Sequence, residues 1–142
     1  MSKLEKAITI AATAHRHQKD KAGAPYILHP LRLMMKMKTE TEQMVAVLHD
    51  VLEDTEVTAD TLRKEGFSEI VVDAVVCLTR TDDAEPYDTY IARIKKVPIA
   101  RKIKLTDIED NMDITRLDEL TDKAVERLKK YHRAWRSLND MR

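Results

Sequence analysis

Glycine and proline are scarce in this sequence, with 2 and 4 residues among 142. These residues supply the tight turns of β-rich folds, so their scarcity argues against a sandwich or barrel and favours helices. The single cysteine, Cys77, excludes an internal disulfide, and its apolar neighbours predict a core side chain rather than a nucleophile. No apolar run approaches the length of about 20 residues that a membrane-spanning helix needs, and no signal peptide is visible. We therefore expect a cytoplasmic, helical protein.

An excess of either charge is also missing. Lys plus Arg and Asp plus Glu number 25 each, so the formal net charge is +0. This balance provides no general field for nucleic acid or an anionic membrane, and neither partner is expected. The length and an apolar fraction of 43% suffice for one hydrophobic core, which predicts a single all-α domain over residues 1–142. The sequence leaves open whether the protein forms a homo-oligomer.

Helix start signals divide the chain into roughly eight helices. The candidate N-caps are Ser2, Thr39 or Thr41, Thr58, Ser68 and Thr121, and the prolines suited to a first helical position are Pro30, Pro86 and Pro98. Pro30 in that position would place His29 at the cap. Segment 69–78 is rich in β-branched residues, but helical spacing predicts a helix with Ile70 among its core residues. The polar stretch 79–85 is predicted to be a loop.

The stretch from Met44 to Asp54 combines a buried helix pattern with several charges. Residues 44–48 are apolar without a break, which predicts a helix in the centre of the protein. At about 100° per residue, His49, Asp50, Glu53 and Asp54 fall on one stripe of that helix. Ionised carboxylates cannot share a dry place without a strong partner, and a divalent cation is a suitable one.

A second acid lies where an apolar residue is expected. Ile99 and Ile103 form an inward row of a predicted helix, and Asp107 is the next position on it. With His29, His49 and Asp50 it completes a candidate ligand set of two imidazoles and two carboxylates. Such a set suits Mn²⁺, Fe²⁺, Co²⁺ or Zn²⁺.

Each of these residues also has an ordinary interpretation. Asp107 alone is compatible with a salt bridge to Lys or Arg, and His29 with a capping or surface histidine. His15, on the inner face of the first helix, is interpreted as a hydrogen-bonded core histidine. Glu53 and Asp54 together are compatible with an acidic helix end, although beside a metal they would be placed to orient or deprotonate water.

Three segments resemble one family in the family's own order. Gly23-Ala-Pro-Tyr-Ile-Leu-His29-Pro30 is similar to the Gly-x-Pro-Tyr-Ile-x-His-Pro segment of the alarmone hydrolases, which are HD-domain metal-dependent phosphohydrolases. Residues 48–55 resemble their Leu-His-Asp-x-x-Glu-Asp-Thr segment. Residues 104–112 resemble their Lys-Leu-Ala-Asp-x-x-x-Asn-Met/Leu segment.

The resemblance implies an HD-domain helical bundle around one Mn²⁺ and a (p)ppGpp 3′-pyrophosphohydrolase of the small, hydrolase-only form. It implies that the ion is held by His29, His49, Asp50 and Asp107, and that Glu53 and Asp54 are catalytic. The substrate contacts that it implies are Lys21, Tyr26, Asn111, Arg127 and Tyr131. The products would be pyrophosphate and a 5′-nucleotide.

Two positions depart from the family pattern. Asp20 precedes Lys21 where the family has Arg-Lys, and Asp113 replaces the Arg that follows Asn111. Substrate charge would then be offset by other cations, for which Lys19, Lys21, Lys102, Lys104 and Arg127 are the candidates. The base therefore stays open, and the alternatives are a related phosphohydrolase for (p)ppApp or a nucleoside monophosphate, a metal-bound nucleotide sensor with little turnover, and a metal-free structural domain.

Overall fold

Helices make up nearly all the regular structure of the protein. The computed structural model describes residues 1–80 and 84–140. Within these ranges the helices are α1 (Lys3–Ala14), α2 (Leu28–Met35), α3 (Glu40–Leu48), α4 (Val51–Asp54), α5 (Ala59–Lys64), α6 (Glu69–Cys77), α7 (Tyr87–Lys95), α8 (Pro98–Asn111) and α9 (Asp122–Asn139), with a 3-10 turn at Ile114–Arg116. The only strand-like pairing in the described ranges is an isolated bridge between Lys19 and Pro25, so the predicted all-α class is confirmed.

Side-chain caps begin several of these helices as predicted. Ser2 and Thr39 each form a reciprocal capping box, with Glu5 and Glu42 respectively. Thr39, and not Thr41, is therefore the cap of α3. Thr58, Ser68 and Thr121 accept a backbone N–H bond at the start of α5, α6 and α9. Among the described residues, no helix has both the length and the apolar character needed to cross a bilayer.

The predicted start of α2 is wrong by two residues. The helix begins at Leu28, so His29 lies in its first turn and Pro30 follows inside that turn. The preceding loop makes this possible, because the Leu28 and His29 N–H groups donate to the carbonyls of Pro25 and Tyr26. Pro30 is tolerated there because N–H groups in a first turn have no intrahelical acceptor.

The continuous helix predicted through Asp54 is also wrong. α3 ends at Leu48, His49 is its C-cap, and α4 is a separate single turn that starts after Asp50. Asp50 has φ −107° and ψ −1°, which breaks the helical path between the two segments. Glu53 and Asp54 consequently lie at the exposed surface rather than on a buried stripe.

Helix α3 occupies the centre of the molecule. It packs against α1, α2, α6 and α8, and residues 45–48 are fully buried. α8 in turn packs against α2, α7 and α9. The C-terminal end of α3 and the middle of α8 therefore meet in the interior, beside α2.

The predicted core residue Ile70 is exposed. Ile70 on α6 is 66% accessible, whereas Val71, Val72 and Val75 are buried. α6 is apolar on nearly every side, so spacing alone did not identify the face that packs. The predicted loop covers residues 79–85. Residues 81–83 lie outside the described part of the chain, and the other four residues of this segment belong to no helix.

Candidate metal centre and adjoining cavity

Helix α2, helix α8 and the junction between α3 and α4 bring the four predicted ligand residues together. Single ligand atoms of His29, His49 and Asp50 all lie within 4.8 Å of one another. Asp107, from α8, places Oδ1 2.8 Å from His29 Nε2 and 3.6 Å from His49 Nε2. Both histidines and Asp107 are buried, and Asp50 is partly exposed on one side.

The orientation of His49 calls for a positive charge beside it. Its Nδ1 lies 2.7 Å from the Ala46 carbonyl, so Nδ1 carries the proton and donates it there. Nε2 is buried without a hydrogen-bond partner in the described residues, although Asp50 Oδ2 lies 3.1 Å away. A lone pair on Nε2 would face the anionic oxygens of Asp50 and Asp107, which is repulsive unless a proton or a cation lies between them.

The electrostatics of the cluster agree with this requirement. Burial would lower the pKa of His49, but the negative Asp50 and Asp107 outweigh it and hold the pKa well above its usual value. Burial would likewise raise the pKa of Asp50, yet the neighbouring His49 and the Tyr26 hydroxyl lower it. Because two imidazoles and two carboxylates are good ligands for a first-row divalent ion, the donor set fits such an ion.

Lys104 neutralises part of the negative charge of Asp107. Its Nζ lies 2.9 Å from Asp107 Oδ2, which realises the salt bridge considered from the sequence. Oδ1 still faces the two imidazoles and also accepts a bond of 3.2 Å from Asn111 Nδ2. The lysine is therefore tied to one oxygen, and the other remains directed at the cluster.

Tyr26 contacts the cluster directly. Its hydroxyl donates to Asp50 Oδ2 and thereby fixes one carboxylate oxygen. Burial and the charge of Asp50 raise the pKa of Tyr26, so the hydroxyl keeps its proton and remains a donor. The sequence predicted a substrate contact for Tyr26, and its position beside Asp50 adds a supporting role.

Glu53 and Asp54 lie at the rim of the cluster on α4. Partial loss of water contact and the negative charge of Asp50 raise the pKa of both carboxyl groups. The backbone N–H of Arg80 donates to Glu53 Oε1 at 2.6 Å, which opposes that rise and fixes the side chain. A fixed carboxylate with a raised pKa is suited to accept a proton from water.

A cavity of about 600 Å³ adjoins the cluster. Loop 18–26, α2, the 3-10 turn and α9 surround it, and His29 and Asp54 line it on the cluster side. All the predicted substrate contacts also line it, namely Lys21, Tyr26, Asn111, Arg127 and Tyr131. The structure thus brings the predicted site residues into one place, with Glu53 next to Asp54 at the edge.

The two departures from the family pattern have structural partners. Asp20 Oδ1 accepts bonds of 2.9 Å from the backbone N–H groups of Ala22 and Ala24, so it folds the loop that carries Lys21. Asp113 Oδ2 lies 3.1 Å from Arg116 Nη1, and both residues line the cavity. Of the candidate cations, Lys102 is paired with Glu42 at 2.8 Å and does not line the cavity.

Sequence reasoning missed three residues near the cluster. Arg32 and Arg116 are cations that line the cavity, and Asp110 is a buried acid bonded to His29 and Arg32. Arg32 lies one helical turn after His29, and Asp110 lies one turn after Asp107. For Arg32 and Asp110, the i, i+3 spacing from a predicted ligand is the signal that could have found them, and Arg116 has no such signal.

Comparisons with known proteins point to one group. No family model matches the sequence. The chain is 34% identical over 120 residues to a guanosine-3′,5′-bis(diphosphate) 3′-pyrophosphohydrolase of Aquifex aeolicus, and the match covers 77% of this chain and 17% of that protein. It is 30% identical over 114 residues to the bifunctional (p)ppGpp synthase/hydrolase SpoT of Escherichia coli, covering 78% of the chain and 16% of that protein.

Two further similarities limit what these names imply. A GTP pyrophosphokinase of Streptomyces antibioticus is 35% identical over 124 residues, covering 79% of this chain and 15% of that enzyme. The chain thus spans less than a fifth of the length of these curated relatives. A solved structure described as a metazoan SpoT ortholog that hydrolyses ppGpp superposes with TM-score 0.81 at 24% identity, covering 97% of this chain and 85% of that one. At this identity the superposition establishes a shared fold.

Proposed function

We infer that the chain belongs to the HD-type alarmone hydrolases, and on this premise we propose that it hydrolyses the 3′-diphosphate of (p)ppGpp or a close relative. The products are pyrophosphate and a 5′-nucleotide. The proposed metal is Mn²⁺, and the proposed location is the cytoplasm, with no nucleic-acid or membrane partner. Whether the enzyme works as a homo-oligomer is left to measurement.

One observation carries this proposal. A buried cluster of two histidines and two aspartates opens beside a cavity large enough for a nucleotide and lined by Lys21, Arg32 and Arg127. Phosphate esters need cations to offset their charge and a centre that activates water. The cavity cations meet the first requirement, and the adjoining cluster of histidines and aspartates would meet the second once it holds a metal ion.

The proposed roles follow from these contacts. His29, His49, Asp50 and Asp107 would hold a divalent ion, whose chemistry is the activation of water and the neutralisation of charge on the phosphoryl group. Glu53 accepts the proton of the attacking water while Asp54 orients that water from the cavity wall. Tyr26 holds Asp50, and Asn111 holds Asp107, so that the ligand oxygens keep their directions.

The rest of the substrate is assigned to the cavity. Lys21 and Arg127 offset the phosphate charge, and Tyr131, four residues after Arg127 on α9, contacts the nucleoside. The 3′-diphosphate would then lie toward His29 and the base toward α9. This orientation places the scissile bond next to Glu53 and Asp54.

A different base is favoured by one observation. Asp20 stands where the resemblance expects an arginine, and its carboxylate is engaged by loop N–H groups rather than directed at a ligand. An adenosine alarmone is therefore the second candidate substrate. A sensing module with little turnover is less well supported, because Glu53 and Asp54 have no use in binding alone.

A product assay tests the proposal. The purified protein is incubated with Mn²⁺ and a panel of ppGpp, ppApp, deoxynucleoside monophosphates and cyclic nucleotides, and pyrophosphate and orthophosphate are measured separately. Release of pyrophosphate from ppGpp or ppApp is expected, with none in the presence of a chelator. Orthophosphate from monophosphates alone would overturn the proposal.

A further inference from the structure

Asp110 is a buried acid that the proposed mechanism does not use. It lies on α8, one turn after Asp107, and is 3% exposed. Its Oδ2 lies 2.6 Å from His29 Nδ1, on the side of the ring opposite the cluster. A contact this short between an imidazole and a carboxylate is a charge-assisted hydrogen bond in which Nδ1–H donates.

Arginine side chains fix the same carboxylate. Arg32 donates from Nε to Oδ1 at 2.8 Å and from Nη2 to Oδ2 at 2.9 Å. Arg116 donates from Nη2 to the Asp110 carbonyl at 2.8 Å and lies 3.5 Å from Oδ2. Together these contacts fix the orientation of the carboxylate that faces His29.

The position of His29 follows from these contacts. With Nδ1–H held by Asp110, a neutral ring presents the lone pair of Nε2 on the opposite side, where Asp107 Oδ1 lies 2.8 Å away. Nε2 is the atom that must be unprotonated to bind a metal ion. If the proton moved to Nε2, His29 would point an N–H at the cluster and could not act as a ligand.

We propose that Asp110 is a positioning residue, which holds His29 through Nδ1–H so that Nε2 is directed at the metal centre, while Arg32 holds Asp110. The inference rests on the proposed role of His29 as a metal ligand. Carboxylates behind ligating histidines act in this way in many metal sites, and their loss costs about 10- to 100-fold in metal affinity.

Metal affinity without substrate is the primary test. Mn²⁺ binding to the metal-free full chain is measured by titration calorimetry for the wild type, Asp110→Ala and Asp110→Asn. Asp110→Ala is expected to weaken binding by about 10- to 100-fold. Asp110→Asn is expected to weaken it less, because the amide oxygen still accepts a hydrogen bond. Unchanged affinity in Asp110→Ala would overturn the inference.

Two further variants separate positioning from a general effect on packing. Glu109→Ala removes the neighbouring carboxylate on α8, which is exposed and accepts a bond from Trp135, and wild-type affinity is expected. Arg32→Ala breaks the ion pair with Asp110 but leaves the His29 contact, so a smaller loss of affinity than in Asp110→Ala is expected. Equal losses in Arg32→Ala and Asp110→Ala would overturn the direct role assigned to the His29–Asp110 hydrogen bond.

The protonation of His29 gives an independent readout. In the Zn²⁺-loaded, ¹⁵N-labelled protein, a slowly exchanging Nδ1–H of His29 is expected in the wild type and in Arg32→Ala, and its loss is expected in Asp110→Ala. A His29 ring protonated at Nε2 in the loaded wild type would overturn the inference. Because neither measurement uses substrate, such a failure is distinguishable from failure of the wild type to release pyrophosphate.

Discussion

At the scale of single residues, Glu53 occupies a position that favours its neutral form. Partial loss of water contact and the charge of Asp50 raise the pKa of Glu53 above the ordinary value of 4.5. An acid with a higher pKa in the folded than in the unfolded state stabilises the fold when protonated, and this contribution is lost as the pH rises through the folded pKa. At neutral pH, ionised Glu53 therefore lowers stability while it is available to accept a proton.

Glu53→Gln is predicted to lower kcat by about 10²- to 10⁴-fold, the usual contribution of a general base, while metal binding persists. Glutamine keeps an oxygen for the Arg80 N–H and removes the charge. The unfolding temperature of the metal-free variant at pH 7 is expected to equal or exceed that of the wild type. The readouts are pyrophosphate release and thermal unfolding.

Glu56→Gln is the control for this change, because Glu56 is an exposed acid just beyond α4. It should leave both kcat and the unfolding temperature as they are in the wild type. Full activity in Glu53→Gln would show that the role assigned to Glu53 is wrong.

Asp50→Ala is predicted to abolish both metal binding and activity. It removes a ligand oxygen and leaves the Tyr26 hydroxyl without its acceptor. Metal content after dialysis against Mn²⁺ measures the first effect and the product assay the second. Asp60→Ala, at an exposed site on α5, should retain the metal. Retained metal in Asp50→Ala would remove Asp50 from the ligand set.

At the scale of elements, the break between α3 and α4 creates the site. In a continuous helix, neighbours such as His49 and Asp50 would diverge by about 100° around the axis. Because α3 ends at Leu48, the side chains of these neighbours converge, with His49 Nε2 3.1 Å from Asp50 Oδ2. The same break moves Glu53 and Asp54 outward, and Asp54 lines the cavity.

The cap of α3 is predicted to stabilise the whole site. Thr39→Ala removes the acceptor for the Glu42 N–H and should cost about 1 kcal/mol of unfolding free energy. Urea unfolding followed by circular dichroism measures this cost. Thr41→Ala, in the same first turn but not at the cap, is the matched control and should be neutral or slightly stabilising, because alanine is the better helix former. Equal losses in the two variants would contradict the assignment of the cap.

At the scale of the whole molecule, the cluster joins α2, the end of α3 and α8. A ligand that binds only the folded state raises stability by mass action, by about 2.7 kcal/mol at a concentration of 100 times Kd. We therefore predict that Mn²⁺ raises the unfolding temperature of the wild type and that a chelator reverses the shift. Asp50→Ala provides the control and should show no shift. An unshifted wild type would argue for a metal-free structural domain.

Much of the architecture was predictable from local signals in the sequence. Caps at Ser2, Thr39, Ser68 and Thr121 and the apolar periodicity identified most helices, because a cap or a helical face involves residues only three or four positions apart. The motif around His49 and the misplaced acid Asp107 indicated which side chains needed a common partner. The position of these residues around one point agrees with that expectation, and their ligand roles remain predictions.

The sequence by itself determined an all-helical chain, its capped segments and a set of acids and imidazoles too polar for a dry interior. Only the tertiary structure decided where α3 stops and which face of α6 carries the exposed Ile70. It also decided that Lys104 pairs with Oδ2 of Asp107. It also paired His29 with Asp110, 81 residues further along the chain. Helix signals act within a turn or two, whereas these choices depend on how α2, α3 and α8 pack, because packing alone brings distant side chains to hydrogen-bonding distance.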